Sequence, residues 1–364
     1  MTPTLALAAG GTGGHMFPAQ SLAEEARRRG WRTVLLTDAR GLRYTDGFPA
    51  DEVVELSAAN PNVSGLGARL ATAHAMSAGS RQARAALKRH RAGLVVGFGG
   101  YPSAPGVLAA RLSGVPYALH EQNAVLGRVN RRAAPGAVLV AHGFERLDRF
   151  ERTRGRRVQT GNPVRDAVLA ARRAYRADPD GRLRVLIFGG SQGASLFSRV
   201  LPAALARLPE GLRERLVVTQ QVRDEEATEV ADTYGRARIT AHTAPFFADL
   251  PGRMAASHLV VARAGASTVT ELSVLGRPSL LVPLAIAMDD HQRTNAEVLS
   301  EAGAARVLLE GELTEERAAG ALGELLGAPD RLAVMARAAE GRVPEGAAAR
   351  LAELCAPLLG AGAA

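Results

Sequence analysis

The chain has 364 residues, too many for one ordinary core and enough for two domains of roughly 150 to 200 residues each. Its 47% apolar and 22% charged residues exclude a disordered chain, and its single Cys355 excludes an internal disulfide framework and suits a reducing compartment. The net charge of +9 is carried by arginine, with Lys88 the one lysine; guanidinium groups suit phosphate and anionic lipid, although a GC-rich genome writes the same bias. No apolar run approaches the roughly 18 to 20 residues of a membrane-spanning helix. The N-terminus lacks a basic segment followed by a long apolar one, so the chain is expected to stay in the cytoplasm, where a membrane surface is still open to it.

Thr4–Ala8 is an apolar strand that runs into Gly10-Gly11-Thr12-Gly13-Gly14-His15 and then a helical pattern to Arg29. A glycine turn after a strand lets backbone approach an anion, and the following helix offers unpaired N–H groups and the positive end of its dipole. His15 stands at that helix start, where an imidazole could serve as a base. The turn is not the dinucleotide fingerprint, because G-x-G-x-x-G from Gly11 would need glycine at Met16; Asp38, after the strand Thr33–Thr37, is the remaining hint of a nicotinamide site.

Leu66–Arg91 reads as a helix with Leu66, Leu70, Ala73 and Met76 at apolar spacing, and Arg69, Arg81, Arg84, Lys88, Arg89 and Arg91 among or after them. The pattern suits an anionic lipid surface, and also an ordinary packed helix with a cationic outer face. Strand Leu94–Phe98 closes on Gly97-Phe98-Gly99-Gly100-Tyr101-Pro102-Ser103, and strand Tyr117–His120 on His120-Glu121-Gln122-Asn123; Val138–Ala141 is the next strand. Carboxyl ends of neighbouring strands in a doubly wound sheet share one crevice, so two glycine turns there make a backbone-lined site wide enough for a diphosphate.

A seam is placed at Gly161-Asn162-Pro163-Val164-Arg165, ahead of the polar Arg172–Gly181, giving domains 1–163 and 164–342. Leu183–Phe188 then repeats the opening pattern by running into Gly189-Gly190-Ser191-Gln192-Gly193-Ala194. Leu216–Gln220, Ile239–Ala241, Leu259–Ala262 and Ser279–Pro283 are further strands. After Arg263-Ala264, residues Gly265 and Ala266 should open a helix whose first turn faces a phosphate, with Glu271 a turn deeper and able to accept both hydroxyls of a ribose. The polar run Met288–Ala296 belongs at a site mouth, where Gln292 can donate to and accept from sugar hydroxyls. The segment 343–364 is expected as a terminal helix, over Ala347–Leu359, that packs back on the N-terminal domain or on the other. No histidine or cysteine spacing suggests a metal, and neither a G-x-S-x-G elbow nor a G-x-x-x-x-G-K-[ST] loop is present.

Taken in order, Gly10 to His15 with Pro18, Gly99-Gly100-Tyr101, His120 to Asn123, Gly161 to Arg165, Gly189 to Gly193 and Arg263…Glu271 form one pattern. From Gly10 to about Ala304 the chain resembles the MurG-type N-acetylglucosaminyltransferases of peptidoglycan synthesis, in glycosyltransferase family 28. The resemblance implies an α/β GT-B fold, two Rossmann-like doubly wound parallel-sheet domains with the active site in an interdomain cleft. It implies inverting transfer of N-acetylglucosamine from UDP-N-acetylglucosamine to the C4 hydroxyl of the muramoyl sugar of undecaprenyl-linked lipid I, giving lipid II for cell-wall biogenesis, cell shape and division.

Donor contacts are implied at Thr12, Gly13, Gly14, Asn123, Arg165, Ser191, Phe247, Ala266, Ser267, Thr268, Val269, Thr270, Glu271 and Gln292. Acceptor contacts are implied at Gly99, Gly100 and Tyr101, and catalytic roles at His15 and Glu121, with His15 the favoured base. Phe247 has no tight motif around it. The sequence departs from the family at Thr219-Gln220-Gln221-Val222, where a His-Gln-Thr-Gly-like segment is common, which puts a donor contact from that loop in doubt. A peripheral seat on the cytoplasmic side of an anionic cell membrane is implied; no cofactor, metal or nucleic acid is.

Three other functions fit part of the pattern. A diacylglycerol glycosyltransferase using UDP-galactose is opposed by the His120 to Asn123 segment and the short N-terminus. A UDP-N-acetylglucosamine epimerase of the same build would turn over the nucleotide sugar with no acceptor. A non-catalytic nucleotide-sugar binder would leave the acceptor-side motifs without a purpose.

Overall fold

The computed structural model describes residues 2–60, 64–190 and 195–360, and the chain forms two compact units. One holds the residues up to Arg165 together with those from Pro344 onward; the other is Asp166–Val343.

The first unit runs β1 (Thr4–Ala8), α1 (Gly13–Arg28), β2 (Arg32–Thr37), β3 (Glu52–Glu55), α2 (Leu66–His90), β4 (Leu94–Gly97), α3 (Gly100–Ser113), β5 (Tyr117–Glu121), α4 (Arg128–Ala133), β6 (Leu139–His142) and β7 (Arg156–Gln159). Its seven strands are ordered β3-β2-β1-β4-β5-β6-β7, and every pair is parallel. A parallel sheet is covered on both faces, so its central strand must be apolar on both, and every residue of β1 is buried. Alternation sorts them: Leu5 and Leu7 pack with Met16 and Leu22 of α1, while Ala6 and Ala8 pack with Ala83, Leu87, Val107 and Ala110 of α2 and α3. The alanines serve close approach. A Cβ added at Gly106 of α3 would stand 2.9 Å from the Cβ of Ala8.

The second unit runs α5 (Asp166–Ala170), β8 (Leu183–Phe188), α6 (Ser195–Ala206), α7 (Glu210–Arg213), β9 (Leu216–Gln221), α8 (Ala227–Arg236), β10 (Thr240–Ala244), α9 (Leu250–Ala256), β11 (Leu259–Ala262), α10 (Ala266–Leu275), β12 (Ser279–Leu281), α11 (His291–Ser300), β13 (Ala305–Val307), α12 (Glu315–Leu326) and α13 (Pro329–Ala339). Its parallel sheet is ordered β10-β9-β8-β11-β12-β13, with Val185, Ile187, Val218 and Val261 in one core with α6, α8 and α12. The last helix, α14 (Ala347–Gly360), belongs to the first unit: Leu351, Ala352, Cys355 and Leu359 join Leu5, Leu7 and Met16. Burial pushes the Cys355 thiol up to about 12, so this cysteine is a small apolar core residue.

Each sheet reverses direction once. In the first unit the strands after β1 go to one side until β3, and then to the other from β4; Ala8 pairs with Gly97 across that switch. In the second unit the switch falls at β8 and β11, where Phe188 pairs with Ala262. Ligands of open α/β sheets bind outside the carboxyl ends of the strands at such a point.

The apolar runs locate ten strands, with small shifts: β4 ends at Gly97, β6 is Leu139–His142, β10 is Thr240–Ala244 and β12 stops at Leu281. Unpredicted are β3, β7 and β13, all sheet edges with half-exposed residues, which carry no continuous apolar run. The helix expected over Leu66–Arg91 forms as α2, but only its second half packs, through Gly79, Ser80, Ala83, Ala86 and Leu87. Leu66 and Leu70 are 76% and 62% exposed. No helix among the described residues is long and apolar enough to cross a membrane.

Candidate active site

In the first unit the two glycine turns meet at the β1/β4 switch. Gly11 has φ +78°, and its N–H donates to Asp38 Oδ1 at 2.8 Å; the same oxygen accepts from Gly41 N at 3.0 Å. Asp38 is thus spent on holding the turn, which removes the one hint of a nicotinamide site. Helix α1 starts at Gly13 with extended Thr12 as its N-cap and no acidic residue in its first turn, leaving the dipole open to an anion. Phe17 of α1 lies against this start (a Cβ at Gly13 would stand 2.8 Å from its ring), and the Arg165 guanidinium stacks 4.2 Å from its centroid. Thr12, Gly13, Gly14 and Arg165 are therefore brought together.

Gly99 and Gly100 both take positive φ, +83° and +67°, as α3 begins. A Cβ at Gly100 would stand 3.0 Å from His15 Nε2. Tyr101 lies beneath the Arg40 guanidinium, 5.0 Å from its ring centroid, and burial raises its phenol above the ordinary value.

Strand β5 delivers His120 to Asn123 to the same end of the sheet. Glu121 is buried, and both its oxygens are occupied: Oε1 accepts from the backbone N and Nδ2 of Asn123 at 3.1 and 3.0 Å, and Oε2 from Gly127 N and Asn130 Nδ2, both at 2.9 Å. Four donors on a buried carboxylate leave no lone pair aimed at a substrate. These contacts tie Glu121 to Asn123 and to the loop that runs to Asn130. His15 is half-buried, with Nδ1 3.0 Å from Gln122 Oε1. Burial pushes His120 down to about 4, against the hydrogen bond to Gly161 O, so its ring is neutral.

In the second unit Gly190 has φ +87°, and Ser191 lies outside the described residues. Gln221 bridges two loops there: its Oε1 accepts from Gly189 N at 3.1 Å and its Nε2 donates to Pro245 O at 3.1 Å. The departing loop thus shapes the glycine turn. Across the switch, extended Gly265 caps α10, and Ala266, Ser267, Thr268 and Val269 form its first turn. Ser267 and Thr268 are half-exposed, with Glu271 on their side of the helix at spacings of four and three.

Val269 is wholly buried and its N–H bonds to Gly265 O; Ala266, Thr270 and Glu271 have buried side chains as well. Phe247 is also buried, its ring covered by Arg253 at 4.5 Å and His242 at 5.7 Å. Gln292 cannot accept from sugar hydroxyls with Oε1 as expected, because that oxygen already accepts from Ala264 N and Leu284 N at 3.2 and 3.0 Å. Arg263 pairs with Glu310 and donates to Val282 O, so its charge is spent within the unit. Asn130, Gln221 and Glu310 carry no local sequence signal for these roles; Gln122 sits inside a quoted motif, where only its contacts give it one.

Doubly wound parallel units with glycine turns and helix N-termini at their switch points are the layout of a GT-B-type enzyme. Family models agree: the glycosyltransferase family 28 N-terminal domain matches residues 5–140 and its C-terminal domain residues 184–351. The UDP-N-acetylglucosamine–N-acetylmuramyl-(pentapeptide) pyrophosphoryl-undecaprenol N-acetylglucosamine transferase of Caulobacter vibrioides is 49% identical over 97% of this chain and 98% of its own. The enzyme of the same name from Methylobacterium sp. is 51% identical over 97% and 96%. The crystal structure of Acinetobacter baumannii MurG superposes with TM-score 0.79 at 29% identity, covering 98% of this chain and 99% of that one. The chain belongs to the MurG group of glycosyltransferase family 28.

Proposed function

We infer that this chain transfers N-acetylglucosamine from UDP-N-acetylglucosamine to the C4 hydroxyl of the muramoyl sugar of lipid I, with inversion, forming lipid II. The observation that carries this reading is the full-length likeness to the Caulobacter vibrioides transferase. In the second unit, Glu271 accepts the ribose hydroxyls of UDP, and the first turn of α10, with Ser267 and Thr268, takes the diphosphate. As the bond from C1 to the diphosphate oxygen breaks, charge grows on that oxygen, and a preorganised helix start opposes it without reorganising. In the first unit, the turns at Gly11 and Gly99-Gly100 take the diphosphate of lipid I, while Thr12, Gly13, Gly14 and Arg165 are assigned to the donor. His15 Nε2 removes the C4 hydroxyl proton as that oxygen bonds to C1; the proton ends on the imidazole and UDP leaves.

Lipid I is membrane-held, and we assign the exposed half of α2 to the cytoplasmic membrane surface. Leu66 and Leu70 stand clear of the core with exposed Arg69 between them, α3 adds exposed Leu108 and Leu112, and Arg81, Arg84 and Lys88 are exposed further along α2. Arg89 contributes less, since it pairs with Glu52.

UDP release from UDP-N-acetylglucosamine, followed with and without a lipid I analogue, tests the activity. Strict acceptor dependence is expected. Turnover without acceptor would turn the assignment to an epimerase, and equal rates with UDP-galactose would overturn the sugar.

A further inference from the structure

We propose that Gln122 and His120 are positioning residues that set the tautomer of His15, holding its proton on Nδ1 so that Nε2 presents a lone pair. This rests on His15 being the base. Two backbone carbonyls, which accept hydrogen bonds and never donate, fix the orientation of this relay. Gly161 O lies 3.0 Å from His120 Nε2, so that nitrogen carries the ring proton. His120 Nδ1 is then an acceptor in the neutral ring, and Gln122 Nε2 donates to it at 3.0 Å. The same Nε2 lies 2.9 Å from His120 O, which independently requires the amide nitrogen at that position.

With its nitrogen placed twice over, Gln122 can offer only Oε1 to His15, whose Nδ1, at 3.0 Å, must be the donor. The second ring nitrogen is left basic. It points to Gly100, where any side chain would begin 3.0 Å away, so glycine there keeps the lone pair uncovered. Gly161 is itself held: it has φ +84°, and a Cβ would meet Pro344 O at 2.4 Å. A proton-accepting imidazole in the wrong tautomer presents N–H to the hydroxyl it should deprotonate, so the relay decides whether His15 works at all.

Nitrogen NMR of the ring-labelled full-length protein reads the tautomers directly, with His15→Ala assigning the His15 signals. Wild type is expected to show His15 protonated on Nδ1 and His120 on Nε2. Gln122→Met, which keeps the length and removes both polar groups, is expected to mix the His15 tautomers and lower kcat roughly tenfold to a hundredfold, with KM for UDP-N-acetylglucosamine within about twofold. An Nε2-protonated His15 in wild type, or an unchanged His15 tautomer in Gln122→Met, overturns the proposal without the variant having to be active. Wild-type turnover in His15→Ala, with the tautomer still shifting in Gln122→Met, instead removes His15 as the base and leaves the relay without a catalytic role, which also overturns it.

Discussion

Residues 120 to 123 lie consecutively at a strand end and do unlike work, because alternation sends neighbours to opposite faces. Glu121 ties the following loop through four N–H donors, while Gln122 bonds to both His15 and His120. His120 also has a stability consequence. Burial holds it neutral to about pH 4, whereas a histidine in the unfolded chain protonates near 6.5, so between those values the unfolded state binds the extra proton. The stability present above pH 6.5 is therefore lost on acidification, by on the order of 3 kcal/mol at pH 4 from this group. Burial lowers His142 and His258 too, so they add in the same direction. Denaturant unfolding from pH 7 to 4 should show the decline, and His120→Gln should make it shallower; an equally steep decline in that variant would remove His120 as a source. The tautomer of His15 belongs to this scale as well. None of it follows from the order of residues alone, since Gly161 and Asn130 reach the group through the fold.

Among the elements, α2 is divided. Gly79 marks the change, because a Cβ there would meet Ser57 O at 2.0 Å and only a glycine lets the helix lie that close. Beyond it one face of the helix joins the core while Arg81, Arg84 and Lys88 stay exposed; before it, leucines stand in solvent. An exposed apolar segment with cations suits the boundary of an anionic bilayer. Reversing charge at Arg81, Arg84 and Lys88 together is expected to weaken binding to phosphatidylglycerol vesicles at least roughly tenfold, while leaving neutral vesicles unaffected. Sedimentation with the two vesicle types decides it, and unchanged binding to the anionic ones would move the membrane contact elsewhere. The helical period of α2 and its charges were legible in the sequence; which half packs was not, because both halves are alanine-rich. The edge strands β3, β7 and β13 were missed for a related reason: half-exposed strands do not need the apolar run by which buried ones are read.

At the scale of the molecule, the chain places its last helix with its first strands. Leu351 is fully buried among Leu5, Leu7, Met16 and Leu22, so Leu351→Ala should cost the first unit about 2–5 kcal/mol by opening a cavity. Chemical denaturation would show it as a lower midpoint for that unit; an unchanged midpoint would mean α14 is dispensable to the core. Because the protein has two units, the transitions need separate fitting.

The sequence by itself determined the class of fold and the family. Buried parallel strands must be apolar along their whole length, and glycine turns are needed where backbone meets phosphate, so both leave marks that survive without a structure. Only the tertiary structure decided what each marked residue does. It showed Asp38, Glu121 and Gln292 holding loops by hydrogen bonds, and Val269 and Phe247 buried. Local order records what a residue offers; which donors and acceptors arrive to take it is settled by strand order and loop closure over tens of residues.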